Sequence, residues 1–231
     1  MSESGERRHA GDFRMTVMHV VAAALLCVPL PALATRLSAA EVAALCANAD
    51  GTAHCGRLIE AAQLKRLPGL ARREGDKLLV SLYPSGTATF TDVEEPVNAR
   101  SYSLWDSLDA INAVVLYTTT NDATLFTLLQ RTTNRRFEFP AEPLLSPDRQ
   151  RLVTADVCAK GCSGEIAVWR ITKDDVRKEL AWSPGSIWSD AAATWRSSDT
   201  LAIEYTPRGQ QGDASFERKL SDPAWTRLAA P

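Results

Sequence analysis

Two hydrophobic periods divide the chain. Between Ser38 and Leu67 apolar residues recur every three or four positions: Val42, Leu45 and Cys46 in one run, then Cys55, Leu58, Ile59, Ala62 and Leu67 in a second. That spacing sets each run on one face of a helix. Ser38-Ala39-Ala40-Glu41 opens the first run with the pattern of a capping box. In such a box the serine hydroxyl takes a backbone N–H of the first turn while the glutamate reaches back to the N-cap. Asn48-Ala49-Asp50-Gly51 separates the two runs and Pro68-Gly69 stops the second. The pattern predicts a hairpin of two short helices whose apolar face needs a cover.

From Lys77 onward the period falls to two, the signature of strands. KLLVSLY and TATFTDV flank the turn PSG, and AVVLYTTT and ATLFTLLQ flank Asn121-Asp122, with FEF following. RLVTADV and EIAVWRI flank CAKGCSG, then KELAW follows after the turn at Asp174-Asp175. LAIEY and SFERKL flank the long loop RGQQGDA, and AWTRL closes the chain. These links are too short for crossover helices, so the strands are predicted to pair antiparallel.

A weak repeat runs through this part. LLSPDRQRLVTADV is similar to TWRSSDTLAIEY, with Leu152 and Leu201 in equivalent places, and SLDAINAVVLY reads as an earlier copy. Each has an apolar or aromatic residue, a polar turn containing Asp, then an alternating strand. Over residues 144–171, and more loosely over 194–206, the order SPD, RLV, IAVWRI resembles blades of tryptophan–aspartate-repeat propellers and of the periplasmic propeller that accompanies the Tol system. In those blades SPDG makes the turn before an inner strand and VWD closes the third strand. Arg149 stands here in place of the glycine and Arg170 in place of the aspartate. The chain also resembles small uncharacterised exported proteins of proteobacteria with the same order of helix, hairpin and SPD. The first resemblance implies protein binding, and the second supplies no function.

The fold class that follows is mainly β: antiparallel hairpins in a propeller-like or open stacked-sheet or barrel arrangement, with a short N-terminal helical hairpin. About 155 residues remain after Lys77, three to three and a half units at roughly 40–45 residues per blade. Closed propellers generally have at least four. The open form is therefore favoured over a last blade completed from elsewhere in the chain. The helical hairpin, residues 35–70, would cover an exposed face or edge of the β-rich part, residues 71–231, where unpaired backbone groups invite aggregation.

Residues 1–34 read as a signal peptide instead of fold. Arg7, Arg8 and Arg14 make a basic leader, Val17 to Val28 an apolar run, and Ala32-Leu33-Ala34 the small residues of a cleavage site after Ala34. Met1 or Met15 can serve as the start. The apolar run is too short for a bilayer-spanning anchor, and no later segment is long enough either. The leader carries three basic and three acidic residues, so its removal leaves the net charge at −2. A near-neutral chain with no basic block offers nucleic acid no electrostatic footprint. The remaining chain keeps four cysteines, Cys46, Cys55, Cys158 and Cys162. An even count in an exported chain favours disulfides, and local pairing, 46 with 55 and 158 with 162, is the simplest of three connectivities. CAKGC has three residues between its thiols inside a hairpin, unlike a redox motif, and exported thiols oxidise before they meet zinc, so neither a metal nor another cofactor is expected.

Catalytic equipment is sparse. His54 is the one histidine after the leader, which disfavours Ser–His–Asp or Cys–His chemistry. GCSGE is not a nucleophile elbow, because Gly164 falls one position early. Asp92, Glu94, Glu95, Asp106 and Asp109 cluster in sequence, and a carboxylate-dependent hydrolase would need two of them positioned together; such groups are more often solvated strand ends and turns. Tryptophan offers more. Trp105, Trp169, Trp182, Trp188, Trp195 and Trp225 all follow the leader. Most are expected in the core. Trp182 and Trp188 around SPGSI, with Tyr205, Arg208, Gln210 and Gln211 near the Gly/Gln loop, are the candidate recognition surface, and Trp188 is the ring most expected to be exposed. The reading is a non-catalytic exported, periplasmic protein that binds another protein, of inhibitor or immunity type. A glycan- or cell-wall-binding module is the alternative, and a carboxylate hydrolase the third.

Overall fold

A computed structural model describes residues 36–95, 97–121, 123–185, 187–210 and 212–228. The expected signal peptide and its cleavage point lie outside the described residues. Helices α1 (Ala39–Cys46) and α2 (Thr52–Arg66) come first, joined by a Cys46–Cys55 disulfide. The capping box of α1 is present: Glu41 N–H donates to Ser38 Oγ at 3.2 Å, and Ser38 N–H donates to Glu41 Oε2 at 2.7 Å.

Four antiparallel sheets follow in chain order. The first holds β1 (Ala71–Glu74), β2 (Lys77–Ser81) and β3 (Thr87–Thr91). The second holds β4 (Arg100–Leu108), β5 (Ala113–Thr120), β6 (Thr124–Gln130) and β7 (Arg135–Phe139). The third holds β8 (Leu144–Leu145), β9 (Arg151–Asp156), β10 (Glu165–Ile171) and β11 (Val176–Trp182). The fourth holds β12 (Trp188–Trp195), β13 (Thr200–Pro207) and β14 (Ala214–Lys219). The chain then turns back, and β15 (Thr226–Arg227) pairs with β11 on the open edge of the third sheet. The protein is thus mainly β, and its strands do not close into a barrel. Strands β1, β4, β8 and β12 add to those that the period of two predicts. RSYSLWDSL has no β-branched residue and WSDAAATW only Thr194, so neither carries the β-branched enrichment that marks a strand; tertiary pairing makes them strands.

Burial explains why the sheets stack. Leu78, Val80, Ala88 and Phe90 of the first sheet bury against Leu104, Val114, Leu116 and Leu129 of the second. The opposite face of the second sheet, with Ala113, Val115, Leu128 and Phe139, buries against Leu152 and Val176 of the third. Val153, Ile166, Val168 and Leu180 then face Trp188, Ala191, Ala193, Leu201 and Ile203 of the fourth. The two inner sheets are covered on both faces, which is why AVVLY reads as a nearly continuous apolar run instead of an alternating one. Three connections share one turn. The hydroxyls of Ser107, Ser146 and Ser197 donate to Asp109, Asp148 and Asp199 just before β5, β9 and β13. Leu152 and Leu201 follow two of these turns and are both fully buried. Arg149 adopts φ 62°, a left-handed conformation that glycine holds more easily.

Helix α2 lies along the outer edge of β4. Its buried positions are Gly56, Ile59, Glu60 and Gln63, one step round from the apolar face that the spacing predicts. Their polar groups answer the edge strand. Glu60 Oε2 accepts from Leu104 N–H at 3.1 Å, and Gln63 Nε2 donates to the carbonyl of Trp105. Arg57 on α2 and Arg73 on β1 both donate to the carbonyl of Tyr102, whose N–H donates to Asp92 Oδ1 at 2.9 Å. The two guanidiniums in turn hold the carboxylates: Arg73 Nη2 lies 2.6 Å from Glu60, and both arginines pair with Asp92. Glu60 is 3% exposed. Removing one member of a buried ionic set leaves the others uncompensated. Glu60→Ala is therefore expected to lower the unfolding free energy by roughly 3–5 kcal/mol in urea titration, and a loss near zero would show that α2 does not hold this edge.

Candidate functional site

Of the candidate recognition residues, Trp182, Trp188 and Tyr205 lie where the third and fourth sheets meet, and Trp188 and Arg208 line a hollow beside the tip of the β9–β10 hairpin. A Cys158–Cys162 disulfide closes that tip. Asp156 Oδ2 accepts from Ser163 N–H at 2.7 Å, and Gly161 and Gly164 take φ of 88° and 70°, which a side chain at Cβ would strain. A single antiparallel bridge pairs Cys158 with Asp190 and ties the loop to β12. Beside it, Arg208 N–H donates to the carbonyl of Ile187 at 2.7 Å. A hollow of about 340 Å³ lies among these loops, lined by the stapled loop, Ser183, Gly185, Trp188 and Arg208. Its charged lining residues are Lys160 and Arg208, and Ile187, next to Trp188 in the chain, is 64% exposed.

Trp188 does not form the exposed face expected of it. It is 6% exposed and stacks on Tyr205 with ring centres 4.1 Å apart and an interplanar angle of 18°. Trp182 meets Trp188 edge-on at 5.3 Å and Phe216 at 5.9 Å, while the Arg218 guanidinium lies 3.9 Å above the Trp182 ring. Trp225, just before β15, completes the cluster. These rings fill the gap between two twisted sheets at their open end, where bulk is needed, so they pack on each other instead of presenting a flat face. Arg208 and Gln210 are exposed on the β13–β14 loop, and Gln211 lies outside the described residues.

The acidic cluster in sequence is not one site in space. Glu94, Glu95 and Asp109 are exposed, as strand ends and turns should be. Asp92 is consumed by Arg57 and Arg73. Asp106 departs most from expectation, being 8% exposed. A bulge at Trp105 is responsible. Leu104 pairs with Leu116, which faces the first sheet, whereas Asp106 pairs with Val115, which faces the third. Bulges re-aim side chains in this way, and here one turns a carboxylate inward. Burial pushes the Asp106 carboxyl up to about 6. The Ser107 N–H and Arg36 oppose that rise, and Glu142 and Asp109 add to it. Nothing in the sequence alone marks this turn, because an unbroken period of two would put Asp106 on the same face as Leu104.

His54 is half-exposed and its Nδ1 accepts from Asp50 N–H at 3.2 Å. Among the described residues, no group of three or more His, Cys, Asp or Glu side chains is placed to hold a metal ion, and no helix is long and apolar enough to cross a membrane. No family model, no curated protein and no solved structure matches the chain.

Two outcomes follow for stability. Trp188→Ala should cost roughly 3–5 kcal/mol in urea unfolding, the range for a buried large-to-small change, and a cost under 1 kcal/mol would contradict its packed position. For Asp106 the folded-state pKa, about 6, lies above the ordinary 3.8. The folded protein therefore binds the proton more tightly, and stability falls as pH rises from about 4 through 6. Asp106→Asn removes that loss. It should stabilise the protein at pH 7.5 by on the order of 2–3 kcal/mol, with the gain fading below pH 4. A gain independent of pH would contradict the assignment.

Proposed function

We propose that the protein is a non-catalytic exported binding protein that engages an acidic surface of another protein through the stapled rim between its third and fourth sheets. The observation that carries this reading is the double restraint on the β9–β10 tip, closed by Cys158–Cys162 and bridged to β12 at Asp190. A loop fixed before binding loses little entropy on association, and rigid loops on a scaffold are where recognition concentrates. Lys160 and Arg208 give the rim a positive face, and Ile187, exposed and bonded through its carbonyl to Arg208 N–H, supplies an apolar anchor next to it. A partner with a carboxylate-rich segment fits that chemistry, and an inhibitor or immunity-type role needs no more than such a surface. Export is supported by the leader pattern and by two disulfides, which persist outside reducing compartments.

The succession of four stacked sheets, the last three each carrying a Ser-x-Asp turn, supports a propeller-like origin for the scaffold, in keeping with protein binding. The glycan-binding alternative needs a flat exposed ring. The stacking of Trp188 on Tyr205 takes that ring away, so the protein-binding reading is preferred.

Affinity capture from periplasmic extract tests it. Wild type, the double variant Lys160→Glu/Arg208→Glu and the single variant Ile187→Asp serve as baits, and any captured protein is then titrated against each. All three should melt alike, since the substituted side chains are on the rim. Binding should fall tenfold or more in both variants and weaken with salt in the wild type, as rim charges dictate. A partner that binds the three baits equally would overturn the reading.

A further inference from the structure

A second cleft, distinct from the stapled rim, lies among the second, third and fourth sheets. Its volume is about 470 Å³, within the range of small-molecule sites. Asp106 and Ser107 from β4, Val115 from β5, Leu144 and Leu145 of β8, and Thr194 and Trp195 from the end of β12 line it, with Arg36 and Glu142 also at its wall. The charges there do not balance. Glu142 is occupied, pairing with Arg36 and accepting from Trp105 Nε1 at 2.6 Å. Asp106 has one oxygen taken by the N–H of its own neighbour, Ser107, at 2.8 Å, and no other described group donates to it. The charged groups acting on Asp106 are Arg36, Glu142 and Asp109, one cation against two anions. A carboxylate more than nine-tenths buried, whose one nearby cation is already paired with Glu142, is costly, and a bulge in β4 is what brings it there.

We propose that this cleft binds an organic cation, an alkylammonium or alkylguanidinium group, with its charge on Asp106 and its carbon chain along Leu108, Val115, Leu145 and Trp195. A bare metal ion would leave those apolar walls and most of the volume unused. An anion would meet Asp106 and Glu142. An alkyl cation satisfies both halves of the lining, because it supplies the missing positive charge and buries hydrocarbon against apolar walls. The same chemistry occurs in a free amine or guanidine and in a lysine or arginine side chain of a protein, so the two sources are separated by experiment. The rim reading does not depend on this site, because the two share no lining residue.

The test is titration of the full chain, followed by ¹⁵N–¹H correlation spectra, with n-butylammonium and n-butylguanidinium chlorides. 1-Butanol and sodium butyrate serve as neutral and anionic controls. Saturable shifts are expected at Ser107, Val115 and the Trp195 indole, with dissociation constants on the order of 1 mM for fragments of this size. Asp106→Asn should weaken the cations at least tenfold and leave 1-butanol unchanged. In the wild type, lowering the pH from 7.5 to 5 should weaken them about tenfold as Asp106 takes up its proton, which tests the site without any substitution. Acetyl-Gly-Arg-Gly-amide identifies the source: shifts at the same residues point to a protein side chain, and exclusion of the peptide while butylguanidinium binds points to a free small molecule. Equal binding of 1-butanol and butylammonium, cation binding that survives Asp106→Asn, binding indifferent to pH, or saturable shifts confined elsewhere would each overturn the proposal.

Discussion

A strand at the edge of a sheet presents a row of N–H and C=O groups, and if anything buries that edge, each group must find a partner. The outer edge of β4 is buried under α2, and beyond the single bridge of Arg100 to Val93 no strand among the described residues answers it. Side chains do so instead: Asp92 and Glu60 accept from Tyr102 and Leu104, and Arg57, Arg73 and Gln63 donate to Tyr102 and Trp105. The arginines and carboxylates then neutralise one another, so that a charged set is buried with its hydrogen bonds made. The close approach needs a small residue on the helix. A Cβ on Gly56 would come within 2.9 Å of both Ser103 Oγ and Tyr117 Cδ1. Because Arg73 belongs to β1 and Asp92 follows β3, the same network ties the first sheet to the second and the Cys46–Cys55 hairpin to both.

The stacking of sheets has its own logic. Each inner sheet sends successive residues to opposite neighbours: Val114 and Leu116 to the first sheet and Val115 to the third, Leu152 to the second and Val153 to the fourth. Each aliphatic side chain taken fully out of water contributes about 1.5–3 kcal/mol, so stacking holds the sheets without any barrel closure. The weak points are the open ends. At the junction of the third and fourth sheets the gap is filled by Trp182, Trp188, Tyr205, Phe216 and Trp225, with Arg218 over the rings. The return of β15 to β11 closes one edge of the third sheet, and the Trp225 that precedes it enters the core.

Two places escape this economy of full burial and full pairing, and both are candidates for recognition. The rim carries positive charge on loops that are covalently and conformationally fixed. The cleft carries a carboxylate that packing has withdrawn from water, with one cation against two anions around it. The first owes its character to a staple across a turn, the second to a bulge that interrupts the register of β4. At the rim the disulfide and the bridge to β12 restrain the loop before binding, so association there would cost little reorganisation.

Much of the architecture was readable in the order of residues. The change of period near Lys77, the Ser38–Glu41 capping box, the two local disulfides and the Ser-x-Asp turns are short-range features, set by neighbours within a few positions, and each has a sequence signature of its own. The apolar period of α2 was readable too, but it misidentified the buried face, because that face meets an edge strand and must be polar at Glu60 and Gln63. Strand β12 was hidden for a related reason. Its alanines carry no β-signal, yet Ala191 and Ala193 pack in the core between the third and fourth sheets. Trp188 looked like a surface ring beside a Pro-Gly turn, and the arrival of Tyr205 from β13 and Phe216 from β14, with Trp182, buries it. Asp106 is the extreme case, since one extra residue in β4 decides which side of the sheet it faces. Local chemistry and periodicity specify elements; which face each element buries, and which polar group is left without a partner, depend on groups far along the chain that only the folded structure brings into contact.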